Sequence, residues 1–106
     1  MNTEELQMAA FGIILNSGNA RTTVHEAFAA MREGDYAKAE ELIEAANADM
    51  LEAHHAQTEL LQEYAGGTEI KIEIIMVHAQ DHLMTTMTLR EVAIEMLALY
   101  RKVDDK

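Results

Sequence analysis

Apolar residues recur along most of this chain at steps of three and four. Leu6, Ala10, Ile13, Ser17, Ala20, Val24, Ala27 and Met31 form one such run. Tyr36, Ala39, Ile43, Ala46, Met50, Ala53, Gln57, Leu60 and Tyr64 form a second. That spacing keeps one face of an α-helix apolar and predicts helices over about 3–32 and 36–64. Thr3 is the expected N-cap of the first, with Glu4 and Glu5 in its favoured first turn. Gly34 is its expected stop, and Asp35 caps the next helix at once. Gly66 and Gly67 should end that second helix. The third run starts ambiguously, because Ile70, Ile72 and Ile74 alternate with Lys71 and Glu73 as in a strand. A lone short strand has no partner here, so a helix over about 71–101 is expected. Helices of about 30 residues are roughly 45 Å long, and short loops make neighbours antiparallel. The prediction is an all-α, up-down-up three-helix bundle, with residues 1–106 as a single domain.

The third helix differs from the other two. Ile72, Ile75, Ala79, His82, Thr86, Leu89, Ala93, Met96 and Tyr100 are expected to face them. Met76, Leu83, Met87, Ile94 and Leu97 form a second apolar face, to which Ile74, Val77, Met84 and Leu99 add. Two partner helices cannot cover a helix that is apolar nearly all round. Self-association through this helix, as a closed cyclic oligomer, is the simplest solution.

Composition narrows the function. The chain has no Pro, 5 Gly and no Cys, which suits helices and excludes disulfides and thiol chemistry. A net charge of −11 argues against nucleic acid, whose phosphates demand a basic face. The acidic start MNTEELQ lacks the basic region of a signal peptide, and no run is long and apolar enough to span a membrane. A cytoplasmic protein with no membrane insertion is expected.

The chemistry concentrates on the third helix, where His78, Gln80, Asp81 and His82 interrupt apolar surroundings. Residues three and four apart share a helix face, so His78, Asp81 and His82 are neighbours. A satisfied buried hydrogen bond would explain one such pair, but not this density. Three chemistries can use the cluster. A mononuclear metal site needs three or four ligands, of which these residues could supply three. A di-iron site needs two Glu-x-x-His motifs, and only Glu52–His55 is present. Acid–base catalysis on a small molecule needs a pocket, which a compact bundle hardly offers. Covalent catalysis by a neutral imidazole needs none, if a phosphoryl group arrives on another protein. His78 is read as that nucleophile. The competing reading is a non-catalytic helical scaffold with a buried metal or polar layer.

The segment VHAQDHLMTTMTLRE resembles the phosphorylation segment of the lactose/cellobiose-type enzyme IIA proteins of the bacterial sugar phosphotransferase system. NSGNAR, EGDYAKAEELI and EAHHAQTELL agree with the same family in order and spacing. The resemblance runs from about Glu4 to Lys102. It implies a homotrimer with the third helices packed, coiled-coil-like, around a threefold axis. It implies that His78 accepts a phosphoryl group from HPr through Nε2 and passes it to the cysteine of a IIB component. The transported sugar would be a β-linked disaccharide of the cellobiose, chitobiose or lactose class. It further implies that Asp81 points at the axis and shares one divalent cation with its symmetry mates. The physics fits, since three converging carboxylates repel and a hard cation such as Mg2+ relieves them. A step of three residues leaves side chains roughly 60° apart, so Asp81 on the axis puts His78 in a groove between subunits. Gln80, His82 and Arg21 are supporting candidates, Arg21 as a donor to the phosphoryl group. His25, His54 and His55 read as ordinary surface histidines.

Overall fold

A computed structural model describes residues 1–105. Three helices follow one another: α1 (Thr3–Arg32), α2 (Tyr36–Ala65) and α3 (Ile74–Asp104). Local chemistry sets their ends. Asn2, not Thr3, caps α1, its side chain accepting from the Glu5 N–H at 2.8 Å. Asp35 caps α2 by accepting from the Lys38 N–H at 3.1 Å. Gly34 (φ +81°) and Gly67 (φ +98°) turn the chain out of α1 and α2. Each turn pairs the last carbonyls in Schellman fashion: Asp35 N–H donates to Ala30 O at 2.9 Å, and Thr68 N–H to Glu63 O at 3.0 Å.

The third helix begins later than its pattern suggests. Residues 68–73 run without regular structure, and Glu73 is extended (φ −119°, ψ 157°) with no side-chain cap. The alternating β-branched residues thus mark an extended connector, in which Ile70 packs on the core and Ile72 is 82% exposed. No residue in this connector pairs as a strand.

The helices form an elongated antiparallel bundle of 57 × 20 × 19 Å. Alanines line the seams: Ala10, Ala20, Ala27, Ala39, Ala46, Ala53, Ala79 and Ala93 are all fully buried. Such small contacts let helix axes approach closely. Two apolar clusters result, one around Val24, Met31, Ile43 and Leu97, the other around Leu6, Ile13, Leu60 and Leu83. Between them along the helices sit Ser17 and Thr86, the buried polar side chains among the described residues. At one end Tyr36 donates its hydroxyl to Asp104 at 2.8 Å, and Arg101 meets Glu40 at 3.0 Å.

The two faces of α3 are not divided as the pattern suggested. Met76, Leu83 and Leu97 are buried inside the bundle beside Ala79, Thr86 and Ala93. With alanine at the contact line, the larger residues flanking it are drawn into the core. The uncovered stripe keeps Ile74, Val77, Met84 and Leu99 of the expected second face and adds Val92, each at least 47% exposed, with Asp81 among them. No helix is long and apolar enough to cross a membrane, among the described residues.

Candidate functional site

His78 lies in the second turn of α3 and is exposed. His82, one turn on, stacks against it with ring centroids 5.8 Å apart and planes 7° from parallel. His82 is half-buried, and its Nε2 faces Gly18 of α1, where a Cβ would lie 3.6 Å away. Burial, then the charges of Arg21 and His78, hold the His82 pKa below the usual imidazole value, while Asp81 works the other way. His82 therefore holds a proton less readily than a free imidazole, and it gives the ring of His78 a flat polar support.

Arg21 crosses from α1 to α3. Its Nε donates to Thr86 Oγ1 at 3.1 Å, and an Nη donates to Thr85 Oγ1. Thr85 Oγ1 donates in turn to the backbone carbonyl of Asp81 at 2.7 Å. The guanidinium thus sits one turn beyond His82, bonded to threonines and not to His78. On the other flank, Gln80 accepts a hydrogen bond from Gln57 Nε2 of α2. Asp81 is exposed, and its carboxylate makes no hydrogen bond or ion pair among the described residues. Within one chain no group of three or more His, Asp or Glu converges to hold a metal, among the described residues. The other histidines stand apart: His25 packs edge-on against Phe28, His55 pairs with Glu59 on the surface, and His54 is exposed.

Gln57 and Gly18 are the neighbours that sequence reasoning passed over. Gln57 had a signal, as a polar side chain on the otherwise apolar stripe of α2. Gly18 had none, since its role depends on which helix lies opposite.

This arrangement leaves the ring of His78 on an open surface. A broad concavity at the bundle end, lined by Met1, Asn2, Glu5, Ala9 and Glu59, does not include His78. Any enclosure around the ring of His78 would have to come from outside this chain.

Comparison with known proteins gives the same direction. Residues 8–101 match the family model described as the lactose/cellobiose-specific IIA subunit of the PTS system. The lichenan-specific phosphotransferase enzyme IIA component of Bacillus subtilis (strain 168) is 43% identical, covering 97% of this chain and 94% of that protein. The crystal structure of PtcA from S. mutans is 77% identical with a TM-score of 0.95, covering 95% of this chain and 99% of that one. The IIA(Chitobiose) subunit, solved in complex with HPr from Escherichia coli, is 36% identical with a TM-score of 0.80, covering 93% and 96%.

Proposed function

This chain belongs to the lactose/cellobiose-specific IIA family of the phosphotransferase system, and on that premise we propose that it carries a phosphoryl group on His78 between HPr and a IIB component. The observation that carries the reading is the exposed His78 ring braced by the stacked His82. In the first step His78 Nε2 attacks phosphorus on phospho-HPr. The donor P–N bond breaks as the new one forms, and the donor ring, protonated on its other nitrogen, leaves neutral. In the second step the thiolate of IIB attacks phosphorus, the P–Nε2 bond breaks, and the ring of His78 is released neutral. The HPr complex of the chitobiose relative supports HPr as donor.

The working form in this proposal is a homotrimer built on the open stripe of α3. Ile74, Val77, Asp81, Met84 and Thr88 step by three and four along it, the spacing of a coiled-coil seam. Asp81 is the one charge in that stretch. Its unpaired carboxylate fits a shared oxygen-ligand site, in which Mg2+ would offset the repulsion of three converging charges. The sugar is a β-linked disaccharide of the cellobiose, chitobiose or lactose class. IIA never has to touch it, and relatives named for lichenan and chitobiose share the fold.

Incubation with phosphoenolpyruvate, enzyme I and HPr tests the proposal. One acid-labile, base-stable phosphate per chain is expected, and none on His78→Ala. Uptake by His78→Ala, or no uptake by the native chain, would reject it.

A further inference from the structure

Glycine weakens a helix interior relative to alanine, so a glycine far from any helix end needs a cause. Gly12 and Gly18 lie inside α1, and neither adopts the left-handed φ that favours glycine. A Cβ at Gly12 would meet nothing within 4 Å. A Cβ at Gly18 would stand 3.6 Å from the edge of the His82 ring. That is ordinary contact, so the single methyl of alanine fits. A β-branched side chain does not fit in the same way. It carries two further carbons on Cβ and has one favoured χ1 in a helix, so it cannot turn both away from the ring.

The surroundings hold this contact in place. Arg21, a turn further along α1, donates to Thr86 Oγ1 at 3.1 Å and so fixes the register of α1 against α3. His82 is half-buried there, with an edge toward Gly18. Against it stacks the ring of His78, centroids 5.8 Å apart and planes 7° from parallel. His78 itself is exposed, and solvent does not fix the direction of a ring. An unbraced histidine on a helix has two favoured χ1 wells and a two-fold χ2, about four ring settings. Transfer needs the one setting that aims Nε2 at phosphorus.

We infer that Gly18 is a positioning residue: its bare backbone is the shelf on which His82 rests, and through His82 it aims the ring of His78. The inference rests on the phosphocarrier reading above. It adds a contribution from α1 that acts without touching the transferred group.

Gly18→Ile tests it, with Gly12→Ile as the matched control. Both place the same side chain inside α1, and both favour helix over glycine, so propensity weakens neither. Variants are compared at equal helix content and equal oligomer mass, and Gly18→Val reads the same way should isoleucine unfold the chain. The first readout is the ring-current shift that the His82 ring imposes on the carbon-bound ring protons of His78. It should persist in Gly12→Ile and Gly18→Ala and vanish in Gly18→Ile. The second is phosphorylation by phospho-HPr. Gly18→Ile should lower the plateau rate by about fourfold, the number of ring settings released. The phospho-HPr concentration at half-maximal rate should not move, because orientation is lost and docking is not. His82→Ala should slow the plateau by a similar factor, and adding Gly18→Ile to it should slow it no further, since both remove one brace. A native shift and rate in Gly18→Ile, or losses that multiply in the double variant, overturn the inference. A native protein that takes no phosphate rejects the carrier proposal separately, and the ring shift still decides whether Gly18 sets the stack.

Discussion

At the scale of single residues, the two stacked histidines sit in unlike surroundings. His78 is open to solvent, while His82 is half-buried between Gly18 and the charge of Arg21. An NMR titration should place the His82 midpoint below the ordinary value near 6.5. The unfolded chain then binds a proton that the folded chain refuses. Stability should fall as pH drops through about 6.5 and go on falling until the folded-state midpoint is passed. Arg21→Met should raise that midpoint toward the ordinary value; an unmoved midpoint would mean that the guanidinium is not felt at His82. Much of this site was legible in the sequence. The crowding of His78, Gln80, Asp81 and His82 on an apolar helix marked it, and the motif named the family. The role of Arg21 was not legible in the same way. Its bonds to Thr85 and Thr86 depend on the register between α1 and α3, which spacing within either helix does not contain.

At the scale of elements, helix existence followed from periodicity, whereas helix ends followed from single backbone geometries. Gly34 turns the chain at φ +81° in the α1–α2 corner, and a Cβ there is strained even though nothing lies within 4 Å of it. Gly34→Ala should cost about 1 kcal/mol and lower the melting temperature by several degrees. Gly12 makes the matched control, because it sits inside α1 at ordinary helical φ with equally open surroundings. Gly12→Ala should hold or raise the melting temperature, by up to about 1 kcal/mol in stability. If both variants melt alike, the turn is not strained. The same contrast explains the late start of α3. Alternating isoleucines carry no helix-start signal, and Glu73 enters the helix without a cap. It also explains why part of the expected outer face turned inward. Ala79 and Ala93 lie at the contact line, so Met76, Leu83 and Leu97 close over them from the sides. Period alone left Met76, Leu83 and Leu97 on the outer face, because it does not say how closely the helices approach.

At the scale of the whole molecule, one long face of α3 is uncovered. An apolar stripe from Ile74 to Leu99 is left open along the length of α3, with one carboxylate set into it. If that carboxylate is a cost to assembly, Asp81→Leu should give a trimer that withstands chelator and melts higher than native. A monomer on a sizing column would show instead that the shared cation is needed. Met84→Lys should dissociate the proposed trimer, since it would bury three charges around one axis with no counter-ion. The order of synthesis gives this stripe a further meaning. Ribosomes deliver α1 and α2 first, and these two can pair along their alanine seam before α3 exists. The most adhesive surface of the chain therefore appears only when the helices that cover its other side are already waiting. A nascent chain has little time in which that surface can find the wrong company.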